Sequence, residues 1–414
     1  MATDDATLPP QARRFIWSIV AAQVMVQIGG FTLPALLPTY IDRWDLTKTE
    51  AGWLIGIFFA AYVAAVPVLV SLTDRVPTRR VYVVGAALTA LSHFGFALVA
   101  DGFWSGMVLR AMAGIGWAGC YMPGLRAIAD RLEGNAQSRA VSLHAAGVGL
   151  SGAGSFLVSG AIDSVAGPTG AFLFGGVAAC LSFVLAILVM PSRRSSHARP
   201  ADPRALLDFR PVFRNRRAMA WIAGYTVHTW ELAALRAWGV TFLTVAAVQM
   251  SPPAWLPAPT VLFTAAGLVG IVVSISGNES AQKWGRMRIV TLAMSSAAIL
   301  SLTAGWTIAA SALLATVLVI VWNATIYLDS SALTAGTVGA ADPALRGATM
   351  GLHSMCGYTG GFLGPLGVGL ALDFSGDNIA LGWGLGFGHL AVITLAGLFV
   401  LRRLGSAGAS AAGR

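Results

Sequence analysis

The stretch GYTVHTWELAALRAWGVTFL, residues 224–243, sets His228, Glu231 and Arg236 in a run that is otherwise apolar. A carboxylate can take up and release a proton, and an imidazole beside it can share that proton. A guanidinium fork matches carboxylates and oxyanions. Spacing limits how these groups combine. At about 100° per residue, Glu231 and Arg236 stand roughly 140° apart around a helix. They miss the favourable i,i+3 and i,i+4 positions, whereas His228 and Glu231 meet them and can hydrogen-bond on one face. Arg236 must therefore look to another helix, a water-filled cavity or a substrate, unless the helix breaks near Gly239. Asp329 is a second candidate proton site. Arg110 is a second candidate for an anionic group, with anchoring to backbone carbonyls as its alternative. Gln27, one turn after Gln23, can hydrogen-bond a solute or a neighbouring helix. Trp238 and Tyr327, with Trp117, Tyr121, Trp230 and Trp322, offer aromatic walls with polar tips.

The elements that must position these groups are membrane-spanning helices. Hydrophobic residues make up 56% of the 414 and charged residues 11%, against about 25% charged in soluble proteins. Apolar runs long enough to cross a bilayer recur along the whole chain. They are continuous and rich in Leu, Ala and Gly, without the alternation of a β-barrel. Twelve spans are expected, at 15–38, 51–71, 81–100, 103–128, 140–162, 169–190, 218–247, 260–276, 289–306, 309–338, 347–372 and 381–401. A charge at a bilayer centre costs about 2.5–3.5 kcal/mol on insertion scales and so defaults to a functional reading. Arg110, Arg126, Glu231, Arg236 and Asp329 all carry that implication.

The net charge of +9 is a matter of topology. Only Arg43 and Lys48 fall on odd-numbered loops, and Arg110, Arg126 and Arg236 lie within spans. The other basic residues cluster at the termini and on even-numbered loops, which puts both termini in the cytoplasm and leaves no nucleic-acid partner implied. The first segment, MATDDATLPPQARRF onward, lacks a cleavage pattern and reads as a retained span. Cys120, Cys180 and Cys356 have no metal-ligand spacing and read as packing residues. No phosphate loop, metal cluster or nucleophile–base arrangement stands out, so neither an enzyme nor a bound cofactor is expected.

The chain divides near its middle at PSRRSSHARPADPRALLDFRPVFRNRR, residues 191–217. The expected layout is a six-helix bundle over 1–191, a basic cytoplasmic linker over 192–216 and a second six-helix bundle over 217–414. Within the linker, Leu206, Leu207 and Phe209 either lie on the inner leaflet or are solvated. The halves repeat: SLTDRVPTRRVYVVG and SAQKWGRMRIVTLA are short basic turns about 209 residues apart. SRAVSLHAAGVGLSGAGSFLVSGAID and RGATMGLHSMCGYTGGFLGPLGVGLALD share nearly the same offset and bring His144 and His353 to matching places. A duplicated six-span unit signals a rocking transporter with its site between the halves.

Three local motifs give the chain its resemblance to the major facilitator superfamily, over essentially its whole length. VSLTDRVPTRR resembles that family's loop between spans two and three, with Asp74, Arg75 and Arg79 matching and Arg80 following. GMVLRAMAGIGWAG resembles the span-four signature through Arg110, Gly114 and Gly116. ADRLEGNAQSRA supplies Asp130, which in the family pairs with the loop arginines. The resemblance implies an all-α fold of twelve transmembrane helices in two pseudo-repeats, with spans one, four, seven and ten lining a central cavity. It also implies a cytoplasmic gate of Asp74, Arg75, Arg79, Arg80, Asp130 and Arg126 that opens and closes as a two-state element. GCYMPGLRAIADRL and YLDSSALTAGTVGAADP are similar to bacterial carriers near the nitrate/nitrite and cyanate porters. Nitrate porters carry arginines on spans two and eight, and 51–71 and 260–276 have none. The functional expectation is a proton-coupled, alternating-access carrier of a small polar or anionic solute, a monomer in a bacterial-type inner membrane. A proton-driven exporter of an amphiphilic compound and a transporter-like ligand sensor are the alternatives.

Overall fold

A lipid environment offers the backbone no hydrogen-bond partners, so long apolar runs close their bonds internally as helices. In the computed structural model, which describes residues 10–73, 75–132, 134–192 and 209–411, the regular structure is helical. Asp74, Leu206 and Leu207 lie outside the described residues. In chain order the helices are α1 (Pro10–Gln27), α2 (Thr32–Ala35), α3 (Leu37–Arg43), α4 (Lys48–Thr73), α5 (Thr78–Leu98), α6 (Phe103–Ala129) and α7 (Gly134–Val189). Beyond residue 208 come α8 (Arg210–Arg214), α9 (Arg216–Met250), α10 (Pro259–Trp284), α11 (Arg286–Ala304), α12 (Ala312–Ala340), α13 (Arg346–Phe374) and α14 (Ile379–Ala411).

Among the described residues, nine helices are long and apolar enough to cross a membrane. One of them, α7, has 56 residues, roughly 84 Å of helix at 1.5 Å per residue, far more than one bilayer needs. Gly167 breaks it with φ 69° and ψ 179°, a backbone conformation that glycine adopts without a Cβ clash, and Pro168 follows. The break falls in the expected turn between spans five and six. The other two expected spans do not reach the same hydropathy. The first is interrupted after Gln27 and continues as α2 and α3, where Pro34 and Pro38 remove backbone donors. The second is α6, which carries Arg110, Arg126 and five glycines.

Helices α1 to α7 pack chiefly on one another, and so do α9 to α14. The two groups meet along two lines, α4 against α13 and α7 against α10. On the first line Asp373, at the end of α13, caps the start of α4: its carboxylate accepts from Lys48 N at 2.9 Å and Thr49 N at 2.7 Å. Further along, the Tyr62 and Tyr358 rings lie 4.2 Å apart. On the second line Thr264 Oγ1 donates to Ala153 O at 3.0 Å. Larger side chains fill the interior of each group, with Tyr40 on Phe96 and Phe172, and Trp322 on Phe387.

Close approach of α4 and α6 requires Gly114, where an added Cβ would stand 2.0 Å from Phe58 O. Backbone cannot yield as a flexible side chain can, and overpacking costs about 1–3 kcal/mol. Gly114→Val is therefore expected to lower the melting temperature by several degrees in a detergent thermal-shift assay. Gly388→Ala, which would meet only the tip of Leu302 at 3.7 Å, should leave it nearly unchanged. Equal effects of the two would refute the close-packing account.

Candidate functional site

The break after α1 turns Phe31 toward the seam between the two helix groups, where its backbone N–H donates to Ser155 Oγ at 3.0 Å. Opposite, α9 runs unbroken through Gly239 and sends Arg236 across. The guanidinium carbon lies over the Phe31 ring at 5.1 Å and over the Tyr327 ring at 5.6 Å, and Arg236 Nη2 donates to the Tyr327 hydroxyl. Among the described residues no carboxylate is within salt-bridge distance of Arg236. Its side chain is half-buried. The structure thus presents a cation oriented by aromatic faces from both halves, with donors left for an anion. Tyr327 itself rests on the backbone of α10 at Gly270.

The other charges on α9 go elsewhere. His228 and Glu231 do not bond each other, which corrects the pairing that their spacing suggested. His228 Nδ1 lies 2.8 Å from Asp329 Oδ1 on α12, both side chains being buried. Glu231 Oε1 accepts from Trp322 Nε1 at 2.6 Å, and Oε2 accepts from Thr394 Oγ1 of α14 at 3.0 Å. Its carboxylate therefore points into the second helix group, away from Arg236. The reason is packing: α12 and α14 both abut α9, and each offers polar groups to the face it covers. Thr394 carried no signal in the sequence beyond lying in an apolar span.

Arg110 is buried within the first group, with Nε 3.4 Å from Leu54 O and its guanidinium carbon 4.8 Å from the Phe58 centroid. That is the backbone-anchor arrangement, and it takes Arg110 out of reach of a solute at Arg236. Trp238 is fully buried, donating to Pro365 O at 2.8 Å and packing on Trp383; the cavity it borders, with Ile41, Thr241 and Val245, does not include Arg236. Gln27 is buried and meets Ser151 Oγ at 3.5 Å, and Gln23 has no hydrogen-bond partner among the described residues. His353 stacks on Tyr225 with centroids 3.8 Å apart and meets Thr337 Oγ1 at 3.1 Å; His144 stacks on Tyr121.

At the proposed gate, Arg126 Nη1 donates to Thr73 Oγ1 at 2.8 Å, and Arg126 Nε lies 3.9 Å from Asp130 Oδ2. Among the described residues Asp130 makes no ion pair with Arg75, Arg79 or Arg80, contrary to the family's pairing. Arg126 sits one turn before Asp130 on the same helix and takes its place. Arg75 and Arg80 are exposed and Arg79 is half-buried.

Sequence reasoning did not single out Phe31, which lies under the Arg236 guanidinium, nor the Tyr62–Tyr358 ring pair on the line between the helix groups. The available signal for the tyrosines was depth, because tyrosines concentrate at membrane interfaces and these lie well inside their spans.

Human monocarboxylate transporter 11 is 27% identical over 315 residues, covering 65% of this chain; the chain spans 64% of that relative's length. A bacterial homologue of the human lysosomal transporter Spinster superposes with a TM-score of 0.77 at 14% identity, over 96% of this chain and 97% of that one. The nucleoside transporter NupG gives a TM-score of 0.75 at 13% identity, over 94% and 98%. At such identities these two establish the fold alone. The sequence profile of the Major Facilitator Superfamily matches residues 19–365, and with most of the chain covered and nine membrane-length apolar helices among the described residues, this protein belongs to that superfamily of multi-pass membrane proteins.

Proposed function

We propose that this chain is a proton-coupled, alternating-access carrier of a small organic anion. In this reading it is a monomer in a bacterial-type inner membrane with both termini cytoplasmic. The observation that carries the anion is Arg236, a cation without a carboxylate partner among the described residues, held at the seam between two helix groups. A half-buried guanidinium that protein anions do not neutralise suits a substrate anion, since such pairs form strong in-plane hydrogen bonds. The similarity to a monocarboxylate transporter supports the same substrate class. Trp238 and Trp322, which would favour an amphiphilic cargo, pack in the core.

Proton coupling is assigned to Glu231, with His228–Asp329 as a second site. Glu231 is buried among neutral donors and, among the described residues, makes no ion pair, and a carboxylate so placed answers to its surroundings by exchanging a proton. In proteoliposomes, Glu231→Gln should reduce pH-gradient-driven accumulation at least about tenfold while sparing counterflow, the size of effect usual for loss of a positioned acid–base group. Unchanged driven uptake would remove Glu231 from the coupling role.

A further inference from the structure

A cavity of about 370 Å³ lies at the Lys48 end of the seam, apart from Arg236. Ile41 of α3 and Lys48 of α4 wall it from the first helix group, and Trp238, Thr241, Leu372 and Trp383 of α9, α13 and α14 wall it from the second. Helical spacing keeps the two places separate, since Trp238 and Thr241 leave α9 roughly 160° and 140° around from Arg236. The volume is in the range of about 300–1,000 Å³ typical of small-molecule sites.

The walls are mainly apolar, with one buried polar group left over. The Trp238 indole N–H is bonded to Pro365 O. Thr241 is 6% exposed, and its Oγ1 has no hydrogen-bond partner among the described residues. Other helical threonines of the second group are not left open: Thr226, Thr229, Thr244, Thr316 and Thr337 all donate to the carbonyl four residues back. A buried hydroxyl left unpaired is destabilising, and a ligand hydroxyl or carbonyl placed against it removes that cost. The charged residues lining the cavity are one acid and one base, exposed Asp42 and half-buried Lys48, with no ion pair between them among the described residues. A charged ligand would be attracted by one and repelled by the other, whereas a neutral ligand meets neither penalty.

The cavity also depends on the state of the seam. Both helix groups build it, and the Asp373 cap on Lys48 N and Thr49 N closes the same end. Parting the groups there would draw Ile41 and Lys48 away from Trp238 and Trp383. A ligand that touches both walls binds the closed form better and shifts the population toward it.

We propose that this cavity is a second ligand site, for a neutral amphiphile with its apolar body against Trp238 and Trp383 and a hydroxyl or amide on Thr241, and that its occupant holds the Lys48 end of the seam closed. The site does not depend on the anion reading of Arg236, and its test uses no transported solute. Binding of 2-phenylethanol, ethylbenzene (which lacks the hydroxyl) and phenylacetate (which is charged) would be measured by calorimetry. The full chain would be held in phosphatidylcholine nanodiscs, with empty nanodiscs as the blank for partition into lipid. Phenylethanol is expected to bind above the blank and more tightly than phenylacetate. Its affinity relative to ethylbenzene should fall about tenfold in Thr241→Val, the size of one hydrogen bond, and be kept in Thr241→Ser. Val245→Trp, which fills the cavity, should abolish binding. With spin labels at exposed Thr39 and Asp377, only the short-distance population should remain at saturating phenylethanol.

Phenylethanol binding no greater than the blank, or equal in the wild type and Val245→Trp, would overturn the site. An unchanged phenylethanol-to-ethylbenzene ratio in Thr241→Val would overturn the role of Thr241, and tighter binding of phenylacetate would overturn the neutral class. A longer-distance population that survives saturation would overturn the preference for the closed seam.

Discussion

Replacing Arg236 with glutamine should weaken binding of the anionic solute by about 30-fold or more. Losing one member of a desolvated, hydrogen-bonded charge pair costs about 2–5 kcal/mol, and each 1.4 kcal/mol is roughly tenfold. Lysine should not restore the affinity. An ammonium is a point charge that cannot donate two parallel in-plane bonds, nor does it stack as a guanidinium does, and the stacking on Phe31 and Tyr327 is what orients Arg236. Tyr327→Phe should have a smaller effect, about three- to tenfold, since it removes one hydrogen bond and keeps the ring. Affinity measured by calorimetry, alongside uptake kinetics, checks all three variants. Wild-type affinity in Arg236→Gln would mean that the anion is held elsewhere.

Asp373→Asn should open the seam at its Lys48 end. The wild-type carboxylate uses both oxygens, one on Lys48 N and one on Thr49 N, and faces the positive end of the 26-residue helix α4. The contact is charge-assisted and joins the two helix groups, so it is made only while this end is closed. Asparagine keeps one acceptor and loses the charge. A loss of about 1–3 kcal/mol corresponds to a roughly 5- to 150-fold shift toward states open at this end. Spin labels at exposed Thr39 and Asp377, on opposite helix groups, would read the shift as a growing population at longer distance. An unchanged distance distribution would show that Asp373 does not hold the seam. Rocking about a central site requires such contacts to be weak enough to break in each cycle, and one carboxylate on two backbone donors meets that demand.

Much of the architecture was legible in the residues. Hydropathy placed the long helices, because a bilayer imposes length and polarity on each segment separately. The turn at Gly167 and Pro168 likewise fell between two expected spans. The site was legible only in part. The five-residue spacing of Glu231 and Arg236 required them to diverge, and they do, one toward Trp322 and Thr394, the other toward Phe31 and Tyr327. The same periodicity suggested a His228–Glu231 pair, which gave way to His228–Asp329 once α12 packed against α9. Arg110 and Trp238 had the right residue types for a binding site but each donates to a backbone carbonyl of its own group.

What the sequence determined by itself was a multi-pass membrane protein of a known superfamily, with too much charge in span seven for lipid. Helical period says which way a side chain leaves its own helix, and composition says which solvent that helix meets. Tertiary structure decided what each charge touches. That depends on which helices lie alongside, and the contacts that settle it join residues far apart in the chain: Asp373 with Lys48, Arg236 with Phe31 and Tyr327, and Glu231 with Thr394.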